Sequence, residues 1–258
     1  MKLTPVLVSA VALSTANVAL SAPEIRSFAP DNDLWMEDNF FSASNVSEEL
    51  FNKIIDAGLK AYEPVAKKNR EKIQVNRRWN DTTVNANVRR SGGVVEINMY
   101  GGLARRQEIT PEGFALVLCH ELGHAYGDKP YIQVSSKLSA EGQADYYGAG
   151  TCLDKVLRIL PADETQITST DYTVQKCGEK AAINSEEYSV CIRQFSGGQS
   201  TANLLAVLMK QPEPNYQKPD PLVVKKTELS YPKTVQCRLD SYHNGTLNLP
   251  RPACWFKD

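Results

Sequence analysis

The stretch Pro111–Gly127, "PEGFALVLCHELGHAYG", constrains this chain more than any other. Thr110 supplies a capping hydroxyl and Pro111 suits a first helical turn, while Gly127 can end the helix. Ahead of His120 the segment is apolar nearly all the way round, which predicts a central, buried helix. His120 and His124 are four residues apart, so they project from the same face and can grip one metal ion together. Glu121 is rotated away from that pair and can reach a water on the open side of the ion, the H-E-x-x-H arrangement of zinc hydrolases.

Two histidines do not complete such a site, because catalytic zinc usually has three protein ligands and one open position. "SAEGQADYYG" places Glu141 early in a second helix, with sixteen residues between it and His124. That is room for one helix to end and another to pack antiparallel against it. Glu141 is therefore the expected third ligand. Asp145 lies one turn later, where a carboxylate can accept a hydrogen bond from a ligand histidine and fix its tautomer. One Zn2+ per chain is the expected cofactor. Glu121 is then the general base for a zinc-activated water, passing the proton to the leaving amine. Two other readings stand beside this one. In the first, His120 and His124 mark an ordinary helix face. In the second, the zinc is structural, although such sites are normally closed by four protein ligands, often cysteines.

Around this centre the chain reads as one sizeable core with appendages. Residues 1–21 have Lys2, a mostly apolar run, and Ala19 and Ser21 at cleavage-site positions. This is the pattern of a secretory signal peptide cut after Ser21. No later run is long and apolar enough to span a bilayer, so no stable membrane insertion is expected after cleavage. Residues 22–44 read as an extended arm on the surface. A helix capped by Asn45 follows, with Phe51, Ile54, Ile55, Leu59 and Tyr62 on one face and Pro64 as an end or a kink. Strand-like runs cover 73–79, 84–90 and 94–99, the last two joined by a hairpin at Ser91-Gly92-Gly93. The second metal helix runs from near Ser139 to Pro161. A polar loop follows over 162–175, then helices at about 178–195 and 199–210. The segment 211–221 is proline-rich, and the tail folds back as a short helix and an irregular end.

The formal charge of −1 gives no reason to expect nucleic acid. Six cysteines in an exported chain point to disulfides. Cys237–Cys254 is the expected pair, closing the tail at about 3 kcal/mol in the chain-entropy model. Cys119, among core-like neighbours, reads as a buried free thiol.

The run "VNANVRRSGGVVEINMYGGLARRQEITPEGFALVLCHELGHAYGD" followed by "EGQADYYG" resembles the gluzincin metallopeptidases of the HtpX and CAAX-prenyl-protease type. Asn85-Ala86, Gly92-Gly93, Ile97 and Gly102-Leu103 match that family's strand hairpin, and the resemblance covers about residues 84–160. It implies an α+β, mostly helical zincin fold over residues 45–210, with residues 211–258 packed on the same domain. It implies peptidase activity on a polypeptide, with His120, His124 and Glu141 as ligands and Glu121 as base. It also implies a small antiparallel sheet whose edge strand, 94–99, borders the cleft and pairs with substrate. Val95, Ile97 and Met99 lie along that strand. Family members often carry a His-Pro motif followed by an arginine. Here "YPKTVQCR" has Tyr231 at the histidine's place and Arg238 shifted by one residue. Tyr231 is thus the oxyanion donor that the resemblance suggests, with His243 and Arg238 as rivals and a packed turn residue as the alternative. The membrane helices of the family are missing, which implies an exported, periplasmic or secreted relative without a membrane-buried substrate. The competing functions are a non-catalytic or chaperone-like binding protein on the same scaffold, and a disulfide-stapled protein without metal. Oligomeric state is left open.

Overall fold

A computed structural model describes residues 25–37, 46–162 and 167–258. The expected signal segment 1–21 and the cap at Asn45 lie outside these residues. Helix α1 (Glu48–Lys68) is instead capped by Ser47, whose hydroxyl accepts from the Leu50 amide at 3.2 Å. Its buried face carries Phe51, Ile54, Ile55 and Tyr62, as the periodicity predicts. Pro64 neither ends nor divides it, and the helix continues to Lys68.

Four strands make one sheet: β1 (Ile25–Ser27), β2 (Lys72–Arg78), β3 (Ala86–Ser91) and β4 (Val94–Tyr100), in the order β1-β3-β4-β2. β3 and β4 form the expected hairpin. Gly92 and Gly93 both have positive φ, at 57° and 77°, which the tight turn requires and other residues resist. The sheet differs from expectation in two ways. It is mixed, because β2 runs parallel to β4 from Lys72↔Val94 to Arg78↔Tyr100. And β4 is an interior strand, hydrogen-bonded on both sides, so residues 94–99 offer no free edge to a substrate. Val95, Ile97 and Met99 do share one face, but that face is fully buried in the core. A period of two identifies the face a strand buries, not its place in the sheet.

After the short turn α2 (Gly101–Ala104), Thr110 caps α3 (Pro111–Tyr126) through the Gly113 amide. Every residue of α3 from Pro111 to Ala125 is buried. A two-stranded ribbon, β5 (Tyr131–Gln133) with β6 (Leu138–Ser139), turns the chain into α4 (Glu141–Tyr147). A π turn (Gly148–Cys152) and α5 (Leu153–Leu157) continue it. Gly123 sits where α3 and α4 touch: a Cβ there would lie 2.7 Å from the Ala144 carbonyl oxygen. This close approach brings the start of α4 up to the histidine face of α3.

Helix α6 (Asp171–Lys180) begins earlier than the sequence suggests, because Thr170 and Thr173 form a reciprocal capping box. The two helices expected at 178–195 and 199–210 are one, α7 (Glu186–Met209). Gly197-Gly198 does not break it, since Gly197 lies against the Glu112 backbone of α3, where a Cβ would meet the carbonyl oxygen at 2.8 Å. Helix α8 (Val235–Leu247) follows the irregular proline-rich segment, and its Val235, Leu239 and Tyr242 join the same core as α1, α3, α7 and the sheet.

All six cysteines are paired. Cys237–Cys254 forms as expected, and Cys177–Cys191 joins α6 to α7. Cys119 is not a free thiol: it is bonded to Cys152, because the π turn after α4 packs beside α3. Three disulfides suit an oxidising extracellular or periplasmic compartment. Among the described residues no helix is long and apolar enough to cross a membrane. The arm also departs from expectation. Of residues 25–37, Phe28 and Ala29 are fully buried and belong to the core rather than to the surface.

Candidate metal centre

Helix α3 presents His120 and His124 side by side, with ring centroids 4.6 Å apart. Glu141, the first residue of α4, faces them. One ligand atom from each of the three residues lies within 4.8 Å of the other two. Glu141 Oε2 is 3.4 Å from His120 Nε2 and 3.6 Å from His124 Nε2. Neither contact is a hydrogen bond, and all four atoms that face this point are buried without a hydrogen-bond partner: both Nε2 atoms and both Glu141 oxygens.

The far nitrogens explain this. His124 Nδ1 lies 2.8 Å from the Ser139 carbonyl oxygen, and His120 Nδ1 lies 2.8 Å from Asp145 Oδ1. Both partners are acceptors, so each Nδ1 carries a hydrogen, and in the neutral tautomer that metal ligation requires each ring turns a bare Nε2 lone pair inward. Two lone pairs and a carboxylate then converge with no donor among them. Buried acceptors left this way cost free energy, and a cation at their centre would satisfy all three. The His120/His124/Glu141 cluster could therefore hold a metal ion, and its two imidazoles and one carboxylate match a zinc donor set.

Behind the cluster stands a residue whose place the sequence did not reveal. Arg238 on α8 is fully buried and binds Asp145 with two parallel bonds, Nε to Oδ2 and Nη2 to Oδ1, each 2.8 Å. Its Nη1 donates to the Phe28 carbonyl at 2.7 Å. Burial disfavours the Asp145 carboxylate, but the Arg238 and His120 charges outweigh it and hold its pKa below the usual range. For Glu141 burial is likewise opposed, by the His124 and His120 rings, and its pKa falls well below the ordinary carboxylate value. Burial lowers His120, yet Asp145 and Glu141 reverse the sign and leave it raised.

Glu121 differs from both carboxylates. Its two oxygens are buried with no hydrogen-bond partner. Burial pushes its pKa up to about 8; His120 and Arg238 oppose the rise, while Glu141 and Asp145 add to it.

Tyr231 reaches the same region from the segment before α8. Burial, and then the Glu141 charge ahead of that of Glu121, raises its pKa. Its hydroxyl donates to the Ser27 carbonyl at 2.8 Å. His243 is engaged elsewhere: its Nε2 lies 2.9 Å from the Tyr172 hydroxyl and its ring packs among Tyr172, Phe195 and Tyr216. Asn85, quoted above only as part of a hairpin motif, bonds both ways to the Ala29 backbone and holds the arm beside the site. No local signal in the sequence marks Asn85 or Phe28 for this.

Comparison of the chain with known proteins found no matching family model, no matching curated protein and no matching solved structure.

Proposed function

We propose that this protein is an exported zinc metallopeptidase of the gluzincin kind, similar to the HtpX-type enzymes, acting on polypeptides. One observation carries the reading: two imidazole nitrogens and a carboxylate converge without a donor, beside an unsatisfied glutamate. His120, His124 and Glu141 would hold the zinc, which when bound polarises a carbonyl and lowers the pKa of water. Glu121, whose ionised carboxylate a bound dication would favour and whose oxygens have no other partner, accepts the proton of the attacking water and delivers it to the leaving amine. Asp145 and Arg238 keep the His120 ring in the tautomer that ligation needs. Tyr231 donates its hydroxyl to the carbonyl oxygen that gains charge, a role supported by its present bond to a backbone carbonyl. The signal pattern at residues 1–21 and the three disulfides support export.

The test is the zinc content of the purified protein and of His124→Ala, followed by hydrolysis of unfolded casein by wild type and Glu121→Gln. About one zinc per chain, lost in His124→Ala, with hydrolysis abolished in Glu121→Gln, is the expected outcome. A folded wild type that takes up no zinc when supplied with it would overturn the reading.

A further inference from the structure

The site just described is shut. His120, Glu121, His124 and Glu141 are all fully buried, and a peptidase must admit its substrate. Against His120 lies the chain's own arm, through the Phe28 ring. β1 pairs antiparallel with the outer edge of β3, from Ile25↔Arg89 to Ser27↔Asn87, and the Phe28 amide continues the pairing onto the Ala86 carbonyl at 3.0 Å. Beyond the bonds from Asn85, Asn32 reaches the Val84 carbonyl, Trp35 bridges to Thr83, and the Met36 amide donates to the Thr82 carbonyl. The arm thus runs antiparallel to residues 82–89, extended over residues 25–28 and then looping, since it advances only from Asn85 to Thr83 between Ala29 and Trp35.

Three contacts tie it to the site, one of them to Arg238 behind the cluster. The Ser27 carbonyl sits on the Tyr231 hydroxyl. The Phe28 carbonyl sits on Arg238. The Phe28 ring packs edge-on against His120, with centroids 5.6 Å apart. Backbone pairing at a sheet edge plus one buried side chain is how a strand-adding peptide is recognised. The attachment has a core part and an exposed part: Leu34 and Met36 also pack against the core, and Arg105 donates to the Met36 carbonyl. Only Phe28 and Ala29 of residues 25–37 are buried, β1 is three residues long, and Ile25 and Trp35 are 59% and 61% exposed.

We propose that residues 25–36 are an intramolecular occupant of the substrate cleft. The site takes an extended polypeptide that pairs with the outer edge of β3 and places an aromatic side chain beside His120, and the arm must leave before that polypeptide can enter. The inference rests on the peptidase reading, and its binding and displacement measurements are independent of hydrolysis.

The test uses the full chain with a specific protease sequence in place of residues 38–45, cut after folding. A fluorescent peptide of residues 25–37 is then titrated onto the cut Glu121→Gln chain, and unfolded casein is added as competitor. The expected results are release of the arm after cutting, rebinding of the labelled peptide, its displacement by casein, and at least tenfold weaker binding of a Phe28→Ala peptide. Hydrolysis of casein by the cut chain with Glu121 intact should rise at least tenfold over the uncut chain. An arm that stays bound under native conditions, a domain that unfolds when the arm leaves, or a labelled peptide that casein does not displace would each overturn the inference. Displacement by casein without any hydrolysis would leave the inference standing and refute the peptidase reading instead.

Discussion

Glu121→Gln should stabilise the metal-free protein. The Glu121 carboxyl is fully buried, and neither oxygen has a hydrogen-bond partner. Its pKa is about 8 against an ordinary value of 4.5. The folded state therefore holds a proton that the unfolded chain has already released. Below pH 4.5 both states are protonated and nothing is lost. Between 4.5 and 8 folding must take up that proton, so stability falls as pH rises, and above 8 the loss levels off. At 1.36 kcal/mol per pKa unit, the cost is under about 1 kcal/mol at pH 5 and about 3 kcal/mol at pH 7. Glutamine has nearly the same shape, leaves the same two positions unsatisfied and does not ionise. The variant should thus gain about 3 kcal/mol at pH 7, which for a chain of this size is a rise of roughly 6–12 °C in Tm. Differential scanning calorimetry of chelator-treated wild type and variant from pH 5 to pH 8 measures it. The gap should widen steadily with pH. Equal Tm values at pH 7, or a gap that does not change with pH, would refute the assignment of a raised pKa to Glu121. Saturating zinc should narrow the gap, since a dication nearby favours the carboxylate.

Arg238→Met leaves the buried Asp145 charge without its partner and should cost about 3–5 kcal/mol in urea unfolding, with zinc affinity reduced as His120 loses its anchor. Asp145→Asn keeps the shape but weakens the hold on the His120 ring; competition with a fluorescent chelator should show zinc affinity lower by roughly 10–100-fold. Gly123→Ala puts a methyl 2.7 Å from the Ala144 carbonyl oxygen, so α4 must shift and carry Glu141 with it. Zinc affinity should fall while circular dichroism still reports a folded protein. Removing Cys177–Cys191, whose half-cystines are 14 residues apart, should cost about 3 kcal/mol in thermal unfolding without altering zinc content, because that bridge lies on α6 and α7.

The candidate metal cluster was legible because its geometry is local. A spacing of four on one helix and a carboxylate at hairpin distance bring His120, His124 and Glu141 together whatever surrounds them, and Asp145 one turn on meets His120. The caps at Thr110 and Gly127, the β3–β4 hairpin and the Cys237–Cys254 bridge are likewise written in short stretches of chain. What the sequence did not decide is long-range. The placement of β4 inside the sheet depends on β2 arriving parallel to it. The pairing of Cys119 depends on a π turn packing beside α3. The joining of α7 through Gly197 depends on contact with Glu112 of another helix. Arg238 lies 93 residues beyond Asp145, and Phe28 lies well before His120. Periodicity and capping act over a few residues and identify which face of an element is buried. Which element covers that face, and whether the site is open or shut, is set by contacts between distant segments, and only the tertiary structure contains them.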